Sequence, residues 1–228
     1  ASWKALESHA EEMKATHLRD LMKDSARCNS LQASHDGILL DYSRQSITTE
    51  TMNKLENLAI EADLDGKRAA MANGSKINST ENRGVLHMAL RAPKTKSIIY
   101  DGIDIIPEVH NVLDKISIYS EKIRNGQLLG CTGKKLTNVL SIGIGGSYLG
   151  PEFIYESIKT DENCMKKSNG RILRFLANID PVDVSRALNN LNPENTLVII
   201  ISKTFTTAET MLNAKTVKNW LINEIKNN

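Results

Sequence analysis

Hydrophobic positions recur along this chain with two different periods, and the change falls near the middle. Trp3, Leu6, Ala10, Met13, Leu18 and Leu21 return every three to five positions, with Lys, Glu and Arg between them. That spacing predicts one amphipathic helix over 3–22. Residues 35–48 break the period and read as irregular, with a short apolar Ile38-Leu39-Leu40. Thr48 or Thr49 can cap a second helix, with Glu50 in its first turn and Met52, Leu55, Leu58 and Ala59 on its apolar face. Asp65-Gly66 is expected to stop it, and 67–73 to add a further turn or two closed by Gly74. In 97–106, Asp101-Gly102 stands between two apolar β-branched runs, the signature of a tight hairpin. Residues 107–124 return to helical spacing through Val109, Val112, Leu113, Ile116 and Ile123.

A polar stretch with Gly126, Gly130 and Gly133 follows, and it suggests a domain boundary. The expected organisation is a mainly helical region over 1–124 and the first part of an α/β domain over 125–228. In the second part, short apolar runs alternate with helical ones. Strands are expected at 139–144, 172–177 and 197–201, and helices at 148–158, 182–190 and 208–225. The buried face of the last helix is read as Met211, Leu212, Val217, Trp220, Leu221 and Ile225. Such alternation predicts a parallel sheet with right-handed crossovers. Three strands are few for such a sheet, so the pattern reads as a partial domain with an apolar edge left open.

Composition narrows the partners. Among 228 residues, 29 basic and 27 acidic side chains leave a net charge of +2. That balance gives no reason to expect nucleic acid or an anionic membrane surface. No run approaches the ~20 apolar residues of a membrane span, and no apolar stretch follows a basic start as in a secretory signal. Cys28, Cys131 and Cys164 are odd in number and far apart, which fits free thiols in a reducing compartment. His9, His17, His35, His87 and His110 lack the clustering of a metal site, so neither metal nor cofactor is expected.

Two loops carry the candidate chemistry. The first, VLSIGIGGSYLGP (Val139 to Pro151), places Gly143, Gly145 and Gly146 after a strand and before a helix. Glycines there let backbone amides approach a ligand, and a helix start offers unpaired N–H groups to an anion. Tyr148 breaks a dinucleotide fingerprint, Pro151 stands where a P-loop needs Lys, and Leu149 breaks a nucleophile elbow. A tight turn that packs helix against strand is the plainer alternative. The second loop, ISKTFTTAET (Ile201 to Thr210), gathers Ser202, Lys203, Thr204, Thr206 and Thr207 around Phe205, ahead of a helix. Thr206 or Thr207 could serve as a cap, but a cap needs one hydroxyl. Four hydroxyls and an ammonium suit an anion, with charged hydrogen bonds worth about 1.5–3 kcal/mol each. If the first strand lies between the other two, the crevice at the carboxyl edge opens between these two loops. A phosphate there would meet two helix starts and one lysine.

These runs, with INSTENRGVLHMALR (Ile77 to Arg91), DYSRQSIT (Asp41 to Thr48) and PEVHNVLDKI after the hairpin, resemble the glucose-6-phosphate isomerase (phosphoglucose isomerase) family in order and over nearly the whole chain. The resemblance implies a helical N-terminal region followed by a partial sugar-isomerase (SIS) parallel-sheet domain, flavodoxin-like. It implies cofactor-free interconversion of glucose 6-phosphate and fructose 6-phosphate through a cis-enediol, in glycolysis and gluconeogenesis, by a cytoplasmic homodimer. Gly146, Ser147, Ser202, Thr204 and Thr207 would then bind the sugar phosphate, with Phe205 and Thr206 in the same loop. Lys203 would act as an auxiliary catalytic group, holding charge on the intermediate. Arg83 and His87 fall in the family's ENRxVLH run, where they would support the site from behind. For His87, a satisfied helix residue is the alternative. Ala208 departs from the larger residue common at its position.

Family chains are over twice as long, and their general base, ring-opening His, an Arg and a second Lys lie further on. This chain is therefore expected to hold the phosphate grip without the proton-transfer machinery, and to be inactive alone. Its own acids in the loops, Glu152 and Glu209, read as first-turn helix residues favoured by the dipole. A non-catalytic sugar-phosphate module of the same fold is the alternative function. A dehydrogenase is disfavoured by Tyr148 in place of a third glycine and by the lack of an acidic residue directly after the second strand, where Asn178 stands and Asp180 follows.

Overall fold

The computed structural model describes residues 1–168 and 170–226. The chain divides into two compact units, Ala1–Asn111 and Val112–Asn228.

The first unit begins with helices α1 (Ser2–Met13), α2 (Leu18–Leu21) and α3 (Ser25–Ser30). The single helix expected over 3–22 is therefore two, because His17 is extended and its Nδ1 caps α2 by accepting from the Arg19 amide at 3.0 Å. Strands β1 (Gln32–His35) and β2 (Ile38–Asp41) then pair antiparallel. The irregular segment expected there is a hairpin, turned by Asp36 and Gly37, both at positive φ. Its signal was an Asp-Gly dipeptide like the later one, but the flanking strands are exposed throughout and carry no burial alternation.

Helix α4 (Thr49–Glu61) starts with a capping box between Thr48 and Thr51. Thr51 Oγ1 also lies 2.7 Å from Nε2 of the buried His9, which ties α1 to α4. The expected stop at Asp65-Gly66 is displaced. Asp63, at φ +52, breaks the chain and caps α5 (Leu64–Ala72), with Gly66 inside that helix. Nearby, the buried Arg27 donates to the carbonyls of Ile47 at 2.6 Å and Gln45 at 2.7 Å, holding the DYSRQSIT run in place. Strands β3 (Ile99–Tyr100) and β4 (Ile103–Asp104) form the expected hairpin around Asp101 and Gly102. Asp104 accepts from the amides of Ile98 and Ile106, joining the hairpin to α6 (Ile106–Arg124). Those amides hold its carboxyl below the ordinary range, Ile106 first among them.

The second unit is a three-stranded parallel sheet with crossover helices. Its elements are β5 (Asn138–Ile142), α7 (Gly146–Ile158), α8 (Glu162–Ser168), β6 (Ile172–Leu176), α9 (Pro181–Leu188), β7 (Thr196–Ile200) and α10 (Ala208–Lys226). The spatial order is β6-β5-β7. Ile142 stands level with Leu176 on one side and Ile200 on the other. Leu140, Ile142, Leu176 and Val217 are fully buried, and Ala187, Leu191, Val184 and Trp220 pack around them. Each fully buried aliphatic side chain contributes roughly 1.5–3 kcal/mol of transfer free energy.

The sheet-facing side of α10 is Thr210, Asn213 and Val217. Leu212, expected to be buried, is 53% exposed. Polar Thr210 and Asn213 take the inner positions because Asn213 Nδ2 donates to the Asn178 carbonyl at 2.9 Å. Leu197, Ile199 and Ile200 of β7, Val139 of β5 and Ile116 and Ile123 of α6 line an apolar groove of about 730 Å³.

Candidate functional site

In a parallel sheet every strand-to-helix connection emerges at the carboxyl edge, and the crevice opens where the strand order reverses. With β5 central, that point lies between the connections after β5 and β7. The two are stitched at their roots, where the Ile201 amide donates to the Ile142 carbonyl at 2.8 Å.

The first connection is built by backbone. Gly145 has φ 56° and ψ −127°, a conformation that only glycine adopts readily. It turns its carbonyl to accept from the amides of Tyr148 and Leu149, at 3.0 and 2.8 Å, and so opens α7. The Ser147 amide donates to Ile144 O at 3.2 Å, leaving the Gly146 amide and the Ser147 hydroxyl for other partners. Gly146 is exposed and lacks positive φ, and a Cβ there would meet nothing within 4 Å. The fold itself gives no reason for glycine at that position.

The second connection is built by side chains. Ser202 Oγ accepts from the Phe205 amide at 3.0 Å and keeps its own proton. Thr204 and Thr206 hydroxyls lie 2.7 Å apart, one proton between them, so the other is free to donate outward. Phe205 is held at φ +55° with its ring exposed. Lys203 is exposed, and no carboxylate pairs with it among the described residues. Thr207 O accepts from the Met211 amide at 3.0 Å, which is the first bond of the α10 ladder. The amides of Ala208, Glu209 and Thr210 precede that ladder and keep the partial positive charge of a helix start.

What remains on this rim is a set of groups able to donate: the Gly146 amide, the first amides of α10, several hydroxyls and one ammonium. Such a set matches an acceptor-only anion. The connection after β6 is different. Asp180 Oδ1 accepts from the Val182 amide at 2.8 Å, Asn178 Oδ1 from the Asp180 amide, and Asp183 from the Asn178 amide. There, amides are satisfied by nearby side-chain oxygens of Asn178, Asp180 and Asp183.

Glu209 lies in the first turn of α10, as expected. Glu152 does not lie in the first turn of α7, which begins six residues earlier. Its carboxylate interacts instead with the Tyr148 hydroxyl, and that interaction, with burial, pushes Tyr148 up to about 12. The Tyr148 ring also meets Phe175 edge-on at 5.7 Å. Sequence reading did not find this pair. An (i, i+4) Tyr-Glu spacing is its only local signal, and it is common on helices. Beside it, Arg174, Phe175, Asp183 and Arg186 help line a cavity of about 460 Å³. Its charges are balanced, and Arg174 spends its Nη1 on the carbonyls at the end of α9. In the first unit, Arg83 and His87 are exposed, and His87 sits in a turn, not a helix. Among the described residues no group of His, Cys, Asp and Glu could hold a metal ion, and no helix is long and apolar enough to cross a membrane.

Comparison with known proteins identifies the family of the chain. The family profile described as phosphoglucose isomerase matches residues 41–228. The cytosolic glucose-6-phosphate isomerase of Arabidopsis thaliana is 58% identical over 220 residues, covering 96% of this chain and 39% of that protein. The cytosolic B form of Oryza sativa subsp. japonica is 55% identical over 223 residues, covering 98% and 39%. A crystal structure of a glucose-6-phosphate isomerase from Chlamydia trachomatis D/UW-3/Cx superposes with a TM-score of 0.72 at 24% identity, over 97% of this chain and 41% of that one, a likeness of fold. The chain belongs to the phosphoglucose isomerase family, and it spans about 39% of the length of the curated relatives it matches.

Proposed function

Starting from a phosphoglucose isomerase family chain, we propose that the rim between the β5–α7 and β7–α10 connections grips the phosphate of glucose 6-phosphate and fructose 6-phosphate. The observation that carries this reading is that the two connections rooted side by side at Ile142 and Ile200 hold no carboxylate and leave amides and hydroxyls unspent. Gly146 gives its amide, and Ser147, Ser202, Thr204 and Thr207 give hydroxyls. Thr206 and Phe205 hold the loop that presents them. Neutral donors suit an ester that must arrive and leave.

The whole protein would interconvert the two sugars through a cis-enediol, moving a proton between adjacent carbons. That step needs a positioned base of suitable pKa. The rim has Lys203, which would stabilise charge on the intermediate, but its acids are committed: Glu209 to a helix start and Glu152 to Tyr148. The base would lie outside residues 1–228, so the phosphate contacts serve orientation here. Region 1–124 would act as the helical partner of a phosphate-binding domain that begins near 125. The proposed setting is the cytosol, as the relatives' names have it, with a homodimer as the assembled form.

Calorimetric titration with fructose 6-phosphate, together with a coupled isomerase assay on residues 1–228, tests this. Binding without turnover is expected. Lack of binding would remove the phosphate grip, and robust turnover would refute the placing of the base. A non-catalytic sugar-phosphate module predicts the same binding, but no turnover even when the remaining length of the relatives is supplied.

A further inference from the structure

The glycines after β5 serve different ends. Gly145 is required by its backbone angles, and Gly146 stands in open space. Gly143 is neither: it is buried, and its φ is one that any residue can adopt. A Cβ built on it would lie 2.9 Å from the Ser147 carbonyl oxygen, 3.0 Å from Ser147 Cβ and 3.1 Å from Ser147 C. Two of those atoms are backbone, so no side-chain rotation relieves the contact. The first turn of α7 must rise from the end of β5 if position 143 carries a side chain. The turn cannot drift freely, because the Tyr148 ring packs edge-on against Phe175 on β6 at 5.7 Å. Displacement would therefore concentrate at Ser147 and the exposed Gly146.

We propose that Gly143 is a positioning residue, whose missing side chain lets Ser147 settle on the end of β5 and so sets the height of its hydroxyl against the Ser202–Thr207 loop. The proposal rests on the phosphate-grip reading above. Gly143 touches no ligand itself and acts through Ser147.

A double-mutant cycle on the full 228-residue chain tests it, read by calorimetric titration with inorganic phosphate and with fructose 6-phosphate. Gly143→Ala is expected to weaken both ligands by about tenfold or more, and Ser147→Ala by a similar factor. The double variant is expected to be no weaker than Gly143→Ala alone, because a misplaced hydroxyl has nothing left to lose. Gly150→Ala, on the same helix with nothing within 4 Å of its Cβ position, should bind within about twofold of the parent. Additive losses in the double variant, or parental affinity in Gly143→Ala, would overturn the proposal. So would a Gly143→Ala chain that does not fold, since the close contact would then serve stability alone. If the parent chain binds neither ligand at this rim, it is the phosphate-grip reading that fails. Ser147 NMR shifts in unliganded Gly143→Ala then still test the displacement: moved shifts uphold the contact argument, and unchanged shifts refute it.

Discussion

The connections after β5 and β7 share one rim and reach the same chemistry by opposite means. After β5, three glycines strip the chain to its backbone, and the useful groups are an amide and a single hydroxyl. After β7, no glycine is present, and Ser202, Thr204, Thr206 and Thr207 carry the donors on side chains. The first can be preorganised only by backbone geometry, as at Gly145. The second can be preorganised by bonds between its own side chains, as between Thr204 and Thr206. The connection after β6 is the contrast to both. It too is polar, but its side-chain oxygens accept from its own amides. Polarity at a strand's carboxyl end does not make a site; unspent donors do.

The comparison breaks most readily at Gly145. Gly145→Ala forces a side chain into a conformation restricted to glycine, at a cost of about 1–3 kcal/mol. Thermal denaturation should show that loss, with phosphate affinity falling alongside it. The next test separates the two loops. Gly146→Ala should leave stability unchanged or raise it by up to ~1 kcal/mol through helix propensity, while abolishing phosphate binding by occupying the ligand's space. Ser202→Ala should weaken phosphate about ten- to hundredfold, the worth of one charged hydrogen bond. If Gly146→Ala binds as the parent does, the backbone half of the rim is not in use.

Smaller effects probe the contrast with β6. Asp180→Ala should cost about 1 kcal/mol as a lost helix cap and leave phosphate affinity untouched, measured by denaturation and titration together. Tyr148→Phe tests the anchor of the first loop by its pH dependence. The folded-state value of Tyr148 is raised from 10.0 to about 12. Its contribution to stability is thus complete below the unfolded value and is lost as pH rises through the folded one. The parent's thermal midpoint should fall between about pH 9 and about pH 12 more steeply than that of Tyr148→Phe. Parallel slopes would show that the Tyr148–Glu152 interaction adds nothing to stability.

Much of this was legible because the relevant signals are local. The three strands, the Asp101-Gly102 turn and the Thr48 cap each announce themselves within a few residues. The misses have physical causes. Helix α8, Glu162–Ser168, is almost wholly polar and shows no hydrophobic period. The β1–β2 hairpin lacks alternation because both its strands are exposed. Asp63 rather than Asp65-Gly66 ends α4, since an aspartate that tolerates left-handed backbone can break one helix and cap the next. At the rim, residue types were readable, but the state of each donor was not. That the Ser147 amide is spent on Ile144, while the Gly146 amide is left over, depends on the turn around Gly145.

The most direct measurement is amide-resolved NMR of the chain titrated with fructose 6-phosphate. The account predicts that Gly146, Ser147 and Ser202–Thr207 shift together along one binding curve, while residues 177–181 after β6 stay in place. Shifts confined to the β6 connection, or to the cavity beside Tyr148 and Arg174, would contradict it.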